Sequence, residues 1–268
     1  MPSPTTAERW TDAADPRRRI GRVVEFVPVI GSTNDRAREL LADRDGDGVA
    51  VVADLQTAGR GRHRRSWESP PGRNLTLSVG VRPATMPAAD AWRLSAVTAL
   101  AVLDAARPHA ALALAWPNDV VASTDGRKVG GILVETTLAG ELVRDAVIGI
   151  GLNVNWRRVD MPDDLRPRAT SLADLGGRDI DRVELLGSLL AGLDAELAGL
   201  EDGQSPLERY RRACITLGAE VRVDAPGGPL EGRATAIDDH GALVVETPSG
   251  PVAVTSGEVL RVTRELPE

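Results

Sequence analysis

Strand-like segments follow one another through the middle of the chain, and no helical pattern separates them. They are ALALAW (111–116), KVGGILVETT (128–137) and ELVRDAVIGIGLNVN (141–155). Strands that are joined directly pair as antiparallel neighbours, whereas parallel strands need a long crossover connection between them, usually a helix. The sequence therefore predicts an α+β domain, and it does not predict alternating βαβ units.

Further periodic segments complete this domain. Apolar or alternating runs predict three more strands, at 23–30, 49–55 and 74–81. Helical spacing of apolar residues predicts three helices, which begin after the N-cap types Ser32–Asn34, near Ala89, and at Asp181. All of these elements are assigned to one domain, residues 21–213.

The last part of the chain has a different pattern. After Leu217, short alternating segments are separated by Pro-Gly, Asp-His-Gly and Pro-Ser-Gly turns. This spacing is typical of a small β-barrel, which is assigned to residues 214–268. Residues 1–20 contain acidic residues and no apolar run, so they are predicted to be a flexible lead-in and not a signal peptide.

Composition excludes several classes of function. The net charge is −7, with 32 Lys+Arg against 39 Asp+Glu, which disfavours general binding to polyanions. Cys214 is the only cysteine, so an intrachain disulfide is impossible. The three histidines are far apart in sequence and predict no zinc site. The longest mostly apolar stretch, 94–106, is too short to cross a bilayer, and a cytoplasmic protein is expected.

Against this acidic background, the segment GRGRHRRSW (59–67) places four arginines in nine residues. It lies in a loop between two predicted strands, and the loop is longer than an ordinary hairpin connection. Glycine allows the backbone to approach a ligand closely, and the arginine fork matches carboxylate or phosphate. The pattern favours a small-anion site. A solvated charge run is the alternative, and a nucleic-acid patch is disfavoured because no lysines or further aromatic residues interleave.

Three other motifs are weak when each is taken alone. WPND (116–119) has the composition of an ordinary turn, and a lone lysine such as Lys128 usually lies on the surface. GIGLNVN (149–155) contains GxG but opens no helix, so it is a poor dinucleotide fingerprint. The chain also lacks the GxxxxGK[ST] motif of P-loop enzymes.

The order of the motifs is more specific than any one of them. STN, QTAGRGR, NLTLS, WPND, K-x-x-G-I-L-x-E, GxGxNVN and ATSL succeed one another along the chain. In this order they resemble the signatures of biotin–protein ligases, over roughly residues 22–264. The resemblance implies a mixed-sheet catalytic domain of the biotin/lipoate ligase type followed by a small SH3-like β-barrel. About 20 residues precede the first strand, too few for a helix-turn-helix, so the monofunctional type without a DNA-binding domain is expected.

The resemblance also implies an activity. Such enzymes use Mg²⁺ and ATP to convert biotin to biotinyl-5′-AMP, and they then transfer biotin to a specific lysine of a biotin carboxyl carrier domain. A monomer or weak homodimer is expected, with neither DNA nor a membrane as a partner. Three alternatives are a lipoate–protein ligase-like enzyme, a biotin-responsive transcriptional regulator, and an inactive scaffold whose barrel binds proteins. The Arg-rich loop together with the barrel disfavours the lipoate ligase. The lack of room for a helix-turn-helix disfavours the regulator, and the retained charged motif residues disfavour the inactive scaffold.

Residue roles follow from the same resemblance, position by position. Lys128 and Arg62 are the expected catalytic residues, and Asp119 is a candidate Mg²⁺ ligand. The positions expected to bind biotin are Ser32, Thr33, Asn34, Gln56, Gly59, Arg60, Gly61, Arg62, Lys128, Gly130 and Gly131. Those expected to bind ATP or the adenylate are Arg62, Arg65, Trp67, Asn118, Lys128 and Asn153.

These residue types suit the chemistry, because a ureido ring needs paired donors and acceptors and a carboxylate approaching a phosphate needs fixed positive charge. The sequence departs from the family pattern GRGRxGRxW at one position, where Arg64 replaces glycine. Either that position does not need a positive φ, or the loop closes differently.

Overall fold

The structure is a computed structural model that describes residues 6–225 and 227–263. The helices are α1 Thr6–Thr11, α2 Thr33–Leu40, α3 Trp92–Ala106, α4 Leu172–Gly176, α5 Arg182–Glu201 and α6 Leu207–Ala213. The strands of the larger sheet are β1 Val24–Ile30, β2 Ala50–Gln56, β3 Leu75–Val81, β4 Leu112–Ala115, β5 Asp119–Ala122, β6 Lys128–Ala139 and β7 Leu142–Leu152. Those of the smaller sheet are β8 Glu220–Ala225, β9 Gly228–Ile237, β10 Leu243–Thr247, β11 Gly250–Val254 and β12 Glu258–Thr263.

The larger sheet is mixed, which confirms the prediction. Its strand order is β1-β2-β3-β7-β6-β5-β4. Only β1 and β2 pair in parallel, and they are joined through α2, whereas every other neighbouring pair is antiparallel. The long hairpin of β6 and β7 therefore lies near the middle of the sheet, and the predicted motifs at its open end are brought next to β3 and β5.

The helix α5 supplies much of the core. Its leucines at 185, 186, 189, 190, 193 and 197 are buried. Burial of one apolar face agrees with the helical spacing of apolar residues that predicted this helix. Asp181 caps the helix, because its carboxylate accepts hydrogen bonds from the backbone N–H groups of Val183 at 2.8 Å and Glu184 at 3.3 Å. These contacts confirm the predicted start of the helix at Asp181.

Residues 6–20 pack against the domain, so the expected flexible lead-in is wrong for them. Trp10 is 2% exposed and stacks on Phe26, with ring centroids 5.6 Å apart. The Arg182 guanidinium lies 5.1 Å from the centroid of the Trp10 ring. An aromatic ring with these neighbours removes a large apolar surface from water, which holds α1 on β1. Residues 1–5 lie outside the described part of the chain.

The C-terminal sheet has five antiparallel strands in the order β11-β10-β9-β8-β12, as expected for a small SH3-like barrel. It is fixed to the larger domain close to the WPND turn. The Trp116 indole N–H donates to the Gly241 carbonyl at 2.9 Å, and the Arg211 guanidinium donates to the Ile237 carbonyl at 2.8 Å. The boundary at 213/214 stays a prediction.

Candidate functional site

A cavity of about 1090 Å³ lies between the larger sheet, the Arg-rich loop and the first residues of β12. Most of the predicted site residues line it, although they come from segments far apart in sequence. They are Ser32, Thr33, Asn34, Gln56, Arg60, Gly61, Arg62, Arg65, Trp67, Asn118, Asp119, Lys128, Gly131 and Asn153. Gly59 and Gly130 are not among the lining residues. The Gly59 carbonyl accepts from the Trp67 N–H, and Gly130 is paired with Leu152 of β7. The cavity is large enough for two small ligands side by side.

The Arg-rich loop, which we define as residues 59–67, is folded back on itself. The Trp67 N–H donates to the Gly59 carbonyl at 2.9 Å, and the Gly61 N–H donates to the Arg65 carbonyl at 2.7 Å. A 3-10 turn, Arg62–Arg64, forms the tip. Within this turn His63 takes left-handed dihedrals (φ 55°, ψ 34°), so the left-handed position precedes Arg64.

Two glycines of β7 leave room for predicted site residues. A Cβ atom on Gly151 would lie 2.3 Å from Cε2 of the Trp67 indole, and one on Gly149 would lie 2.3 Å from Oδ1 of Asn34. Real Cβ atoms do not approach this closely, so both positions need glycine. The GIGLNVN segment, a poor dinucleotide fingerprint in sequence, therefore forms the surface on which Trp67 and Asn34 pack.

Lys128 begins β6 and faces the cavity. Its ammonium nitrogen lies 2.7 Å from Oδ1 of Asp119 and 5.9 Å from the centroid of the Trp67 ring. Its backbone N–H donates to the Arg168 carbonyl, and its carbonyl accepts from the Thr170 N–H, so the ATSL segment holds this residue in place. Lys128 is also the only lysine of the chain, since every other residue in the Lys+Arg total is arginine. Lysine and arginine are not equivalent at a site. A single lysine in a chain rich in arginine is therefore a sequence signal that an ammonium group is required here.

Arg62 is a partly buried cation with no carboxylate in an ion pair with it among the described residues. Its Nη1 donates to the Asn118 side-chain oxygen at 3.4 Å and to the Gly257 carbonyl at 3.3 Å. Burial lowers the pKa of Arg62, and the charges of Asp119 and Glu258 offset part of that effect. A guanidinium in this state is stabilised by an anion that enters the cavity, so this position is a candidate anion site.

Arg60 and Arg65 of the loop are already paired with carboxylates. The Arg60 guanidinium donates to Asp35 at 2.8 and 2.6 Å, and its hydrogen bonds hold the pKa of the Asp35 carboxyl below the usual value. Arg65 pairs with Glu258 at the start of β12. These pairs attach the loop to α2 on one side and to the C-terminal sheet on the other, which leaves Arg62 as the loop arginine free of a carboxylate among those whose side chains are described.

A chain of side-chain hydrogen bonds runs from Gln56 through Thr33 and Asn34, at the end of the cavity where α2 begins, and continues to Glu135. Gln56 Oε1 accepts from the Thr33 N–H at 2.7 Å and from the Thr33 hydroxyl at 3.0 Å. The hydroxyls of Thr33 and Ser78 are 2.7 Å apart, and Ser78 donates to Asn34 Oδ1 at 2.6 Å. Asn34 Nδ2 then donates to Glu135 Oε2 at 2.7 Å. Ser78 and Glu135 were missed as site residues, although both lie in quoted motifs, NLTLS and K-x-x-G-I-L-x-E.

Two predicted asparagines brace the backbone of the wall. Asn118 Nδ2 donates to the Ile132 carbonyl at 2.7 Å. Asn153 is 5% exposed, donates to the Thr170 carbonyl at 3.1 Å, and accepts from Asn74 at 3.2 Å. Both amides face the cavity while they hold its shape, and Asn74 is a partner that the sequence did not indicate.

Residues 6–225 and 227–263 contain no group of three or more His, Cys, Asp or Glu side chains placed to hold a metal ion. In the same part of the chain, no helix has the length and apolar character needed to cross a membrane.

Comparison with known proteins identifies relatives over most of the chain. Residues 26–153 match the Biotin/lipoate A/B protein ligase family, and residues 216–262 match the Biotin protein ligase C terminal domain. The chain is 40% identical to a biotin–[acetyl-CoA-carboxylase] ligase of Mycobacterium tuberculosis over 90% of each protein. It is 33% identical to the bifunctional ligase/repressor BirA of Bacillus subtilis over 90% of this chain and 74% of that protein.

The solved structures agree with these matches. A biotin protein ligase from Aquifex aeolicus, solved in complex with biotin and ATP, superposes with a TM-score of 0.74 at 29% sequence identity. The match covers 91% of this chain and 100% of that one.

Proposed function

Because the chain belongs to the biotin protein ligases of the biotin/lipoate A/B protein ligase family, we propose that its cavity activates biotin with ATP and passes the biotinyl group to a carrier lysine. The enzyme is thus a ligase that forms a carbon–nitrogen bond. The observation that supports this use of the cavity best is Arg62, a partly buried guanidinium with no carboxylate in an ion pair with it among the described residues, in a cavity that Lys128 also lines.

The reaction has two steps, and neither needs a nucleophile from the protein. A carboxylate oxygen of biotin attacks the α-phosphorus of ATP, and the bond from that phosphorus to the pyrophosphate oxygen breaks. The amine of the carrier lysine then attacks the acyl carbon of biotinyl-5′-AMP, loses a proton, and displaces AMP. The first step brings a carboxylate to an anionic phosphate, and the second expels AMP as an anion, so positioning and charge neutralisation are what the protein must supply.

The buried end of the cavity is the proposed biotin site. Thr33 and Gln56 offer a hydroxyl and an amide at neighbouring positions, as a cyclic urea requires. Ser32 lies beside them at the start of α2, where its hydroxyl makes no helix-cap hydrogen bond. Lys128 is proposed to meet the biotin carboxylate, and Gly131 gives the lysine room, because a Cβ there would lie 3.3 Å from its ammonium nitrogen. Gly59 and Gly130 are proposed to act by shaping the backbone, and not by touching biotin.

The outer part of the cavity is the proposed nucleotide site. Trp67 offers an apolar ring, and Asn118 and Asn153, which line the same cavity, offer amides. Arg62 is proposed to bind the α-phosphate and the activated carboxylate. Arg65 is proposed to assist the departing pyrophosphate, for which it would have to leave Glu258.

The described residues fit Mg²⁺ as a companion of ATP better than as a resident ion. Asp119, the carboxylate expected to hold Mg²⁺, lines the cavity and is paired with Lys128. Mg²⁺ is commonly held by one or two carboxylates together with substrate phosphates, so Asp119 with the nucleotide satisfies its chemistry. When bound, the ion neutralises phosphate charge, and we propose that it enters as Mg-ATP.

The proposed carrier is a biotin carboxyl carrier domain of a carboxylase. The first step can be tested without it, by measuring pyrophosphate released from Mg-ATP in the presence of biotin or of lipoate. We expect release with biotin and little with lipoate. Release with lipoate alone would replace this proposal with a lipoate ligase, and release with neither would leave the cavity without the proposed chemistry.

A further inference from the structure

Glu135 is the last residue of the motif K-x-x-G-I-L-x-E, and the proposed reaction gives it no role. Its carboxylate does not line the cavity, but it contacts Asn34 and Arg60, which do, and it accepts from several donors. Asn34 Nδ2 donates to its Oε2 at 2.7 Å, Arg38 donates to the same oxygen at 2.8 Å, and the Arg60 guanidinium lies 3.7 Å from it. We propose that Glu135 is a positioning residue that sets the direction of the hydrogen-bond chain beneath the biotin site, an inference that rests on the proposed function.

The direction follows from the chemistry of each group in turn. An ionised carboxylate can only accept hydrogen bonds, so the Asn34 amide must present its nitrogen to Glu135. The oxygen of that amide then faces Ser78, which is fully buried and donates its single hydroxyl proton to it at 2.6 Å. The Ser78 oxygen is left as an acceptor towards Thr33.

The same reasoning fixes what Thr33 offers to a ligand. Its hydroxyl has one proton, and two acceptors lie within reach, the Ser78 oxygen at 2.7 Å and Gln56 Oε1 at 3.0 Å. Whichever of the two receives the proton, it is used inside the chain, so the Thr33 oxygen can only accept from a ligand. Gln56 directs its Oε1 to the Thr33 N–H at 2.7 Å, which leaves its Nε2 as a donor.

The cavity therefore presents an acceptor and a donor next to one another. A cyclic urea carries N–H donors beside a carbonyl acceptor, so this ordered pair matches it in one orientation. Without an acceptor-only group at position 135, Asn34 can turn its amide over, and the protons of Ser78 and Thr33 can reverse. In that part of the population Ser78 would donate to the Thr33 oxygen and occupy one of the two lone pairs that are otherwise open to the ureido N–H.

The test is a double-mutant cycle on the steady-state constants for biotin activation. Glu135→Gln keeps the size of the side chain but can donate as well as accept, so KM for biotin should rise by about tenfold, the loss expected when a buried hydrogen bond is mismatched. KM for ATP should change by less than about twofold. Ser78→Ala removes the link that transmits the direction, so adding Glu135→Gln to it should produce little further rise in KM for biotin.

Glu141→Gln is the matched control, because it makes the same chemical change in the turn between β6 and β7, where the side chain is exposed. It should leave both KM values at the wild-type level. Melting temperatures of all variants show whether each is folded under the assay conditions.

Two results would overturn the inference in an active wild-type enzyme. One is a Glu135→Gln variant whose KM for biotin is unchanged. The other is that the effects of Glu135→Gln and Ser78→Ala on KM for biotin are additive while KM for ATP and the melting temperature also change, which would indicate a merely structural role. A wild-type enzyme that releases no pyrophosphate with biotin would instead refute the proposed function, so the two failures are distinguishable.

Discussion

The ammonium nitrogen of Lys128 lies 2.7 Å from the Asp119 carboxylate at the wall of the cavity. The pair is about one third exposed on both sides, so water still reaches it and the attraction is modest. An incoming carboxylate or phosphate can therefore share the ammonium without first breaking a buried ion pair. Lys128 is both held in place and available, which is the combination that the proposed first step needs.

We predict that Lys128→Ala lowers the rate of biotin-dependent pyrophosphate release by at least about 100-fold, because it removes a preorganised positive charge from the reacting groups. Lys128→Arg should recover only part of the rate, since the guanidinium is larger and planar. Arg144→Ala removes a mostly exposed cation from β7 and serves as the control. Undiminished release in Lys128→Ala would contradict the role given to this residue.

Arg62→Gly should release biotinyl-5′-AMP from the closed site. The guanidinium connects the loop to Asn118 and to the Gly257 carbonyl, and no other described contact of this side chain replaces those two. Labelling of lysines on a bystander protein should rise about tenfold or more above the wild-type enzyme, if the lost hydrogen bonds to a charged group are worth 1.5–3 kcal/mol.

The control for this prediction is His63→Gly, which also adds a glycine to the loop. Position 63 already has φ 55°, so glycine suits its backbone and should leave bystander labelling low. Equal labelling by the two variants would show that loop flexibility, and not the Arg62 guanidinium, governs retention.

Gly151→Ala should push Trp67 out of its place, because the new methyl group would lie 2.3 Å from the indole ring. We expect KM for ATP to rise and the free energy of unfolding to fall by about 1–3 kcal/mol, as for other overpacked sites. Trp67→Phe in the same variant should restore part of the stability by making room. Gly187→Ala adds the same methyl group on α5, where its nearest atom is 3.9 Å away, and it should do neither.

The presence of a single lysine predicts how the enzyme responds to its own product. Biotinyl-5′-AMP acylates amines, and Lys128 is the only ε-amine of the chain. Its nitrogen is held at the cavity wall by a hydrogen bond to Asp119 at 2.7 Å. After long incubation with biotin and Mg-ATP, peptide mapping should find no biotin on internal residues.

Arg168→Lys would place a second ε-amine at the cavity and should acquire biotin, whereas Arg107→Lys, remote at the end of α3, should acquire far less. Heavy internal labelling of the wild-type chain would be incompatible with this explanation.

Much of the architecture could be predicted because it depends on local patterns. Six of the seven strands of the larger sheet were predicted to within about three residues from apolar runs and turns, whereas β5, which begins at the last residue of WPND, was not predicted. The start of the long helix at Asp181 was also predicted. Most of the site residues that the ordered motifs identified line the cavity. The resemblance transfers residue positions, but it does not show which side chains contact one another.

What could not be predicted depends on contacts between distant segments. Trp10 gave no sign in sequence that it would stack on Phe26, so the contact that holds α1 on β1 was not predicted. The sequence did not show which arginines of the loop are paired within the protein: Arg60 pairs with Asp35, and Arg65 pairs with Glu258, which is 193 residues away. Only the folded chain shows that, among the residues described, Arg62 forms no ion pair with a carboxylate.

The most direct test of the central claim is the mass of a biotin carboxyl carrier domain after incubation with this enzyme, Mg-ATP, and either biotin or lipoate. The account predicts that the carrier gains one biotinyl group on a single lysine, and that neither lipoate nor the omission of ATP gives a mass increase. A carrier whose mass is unchanged with biotin, or one that gains lipoyl instead, would contradict it.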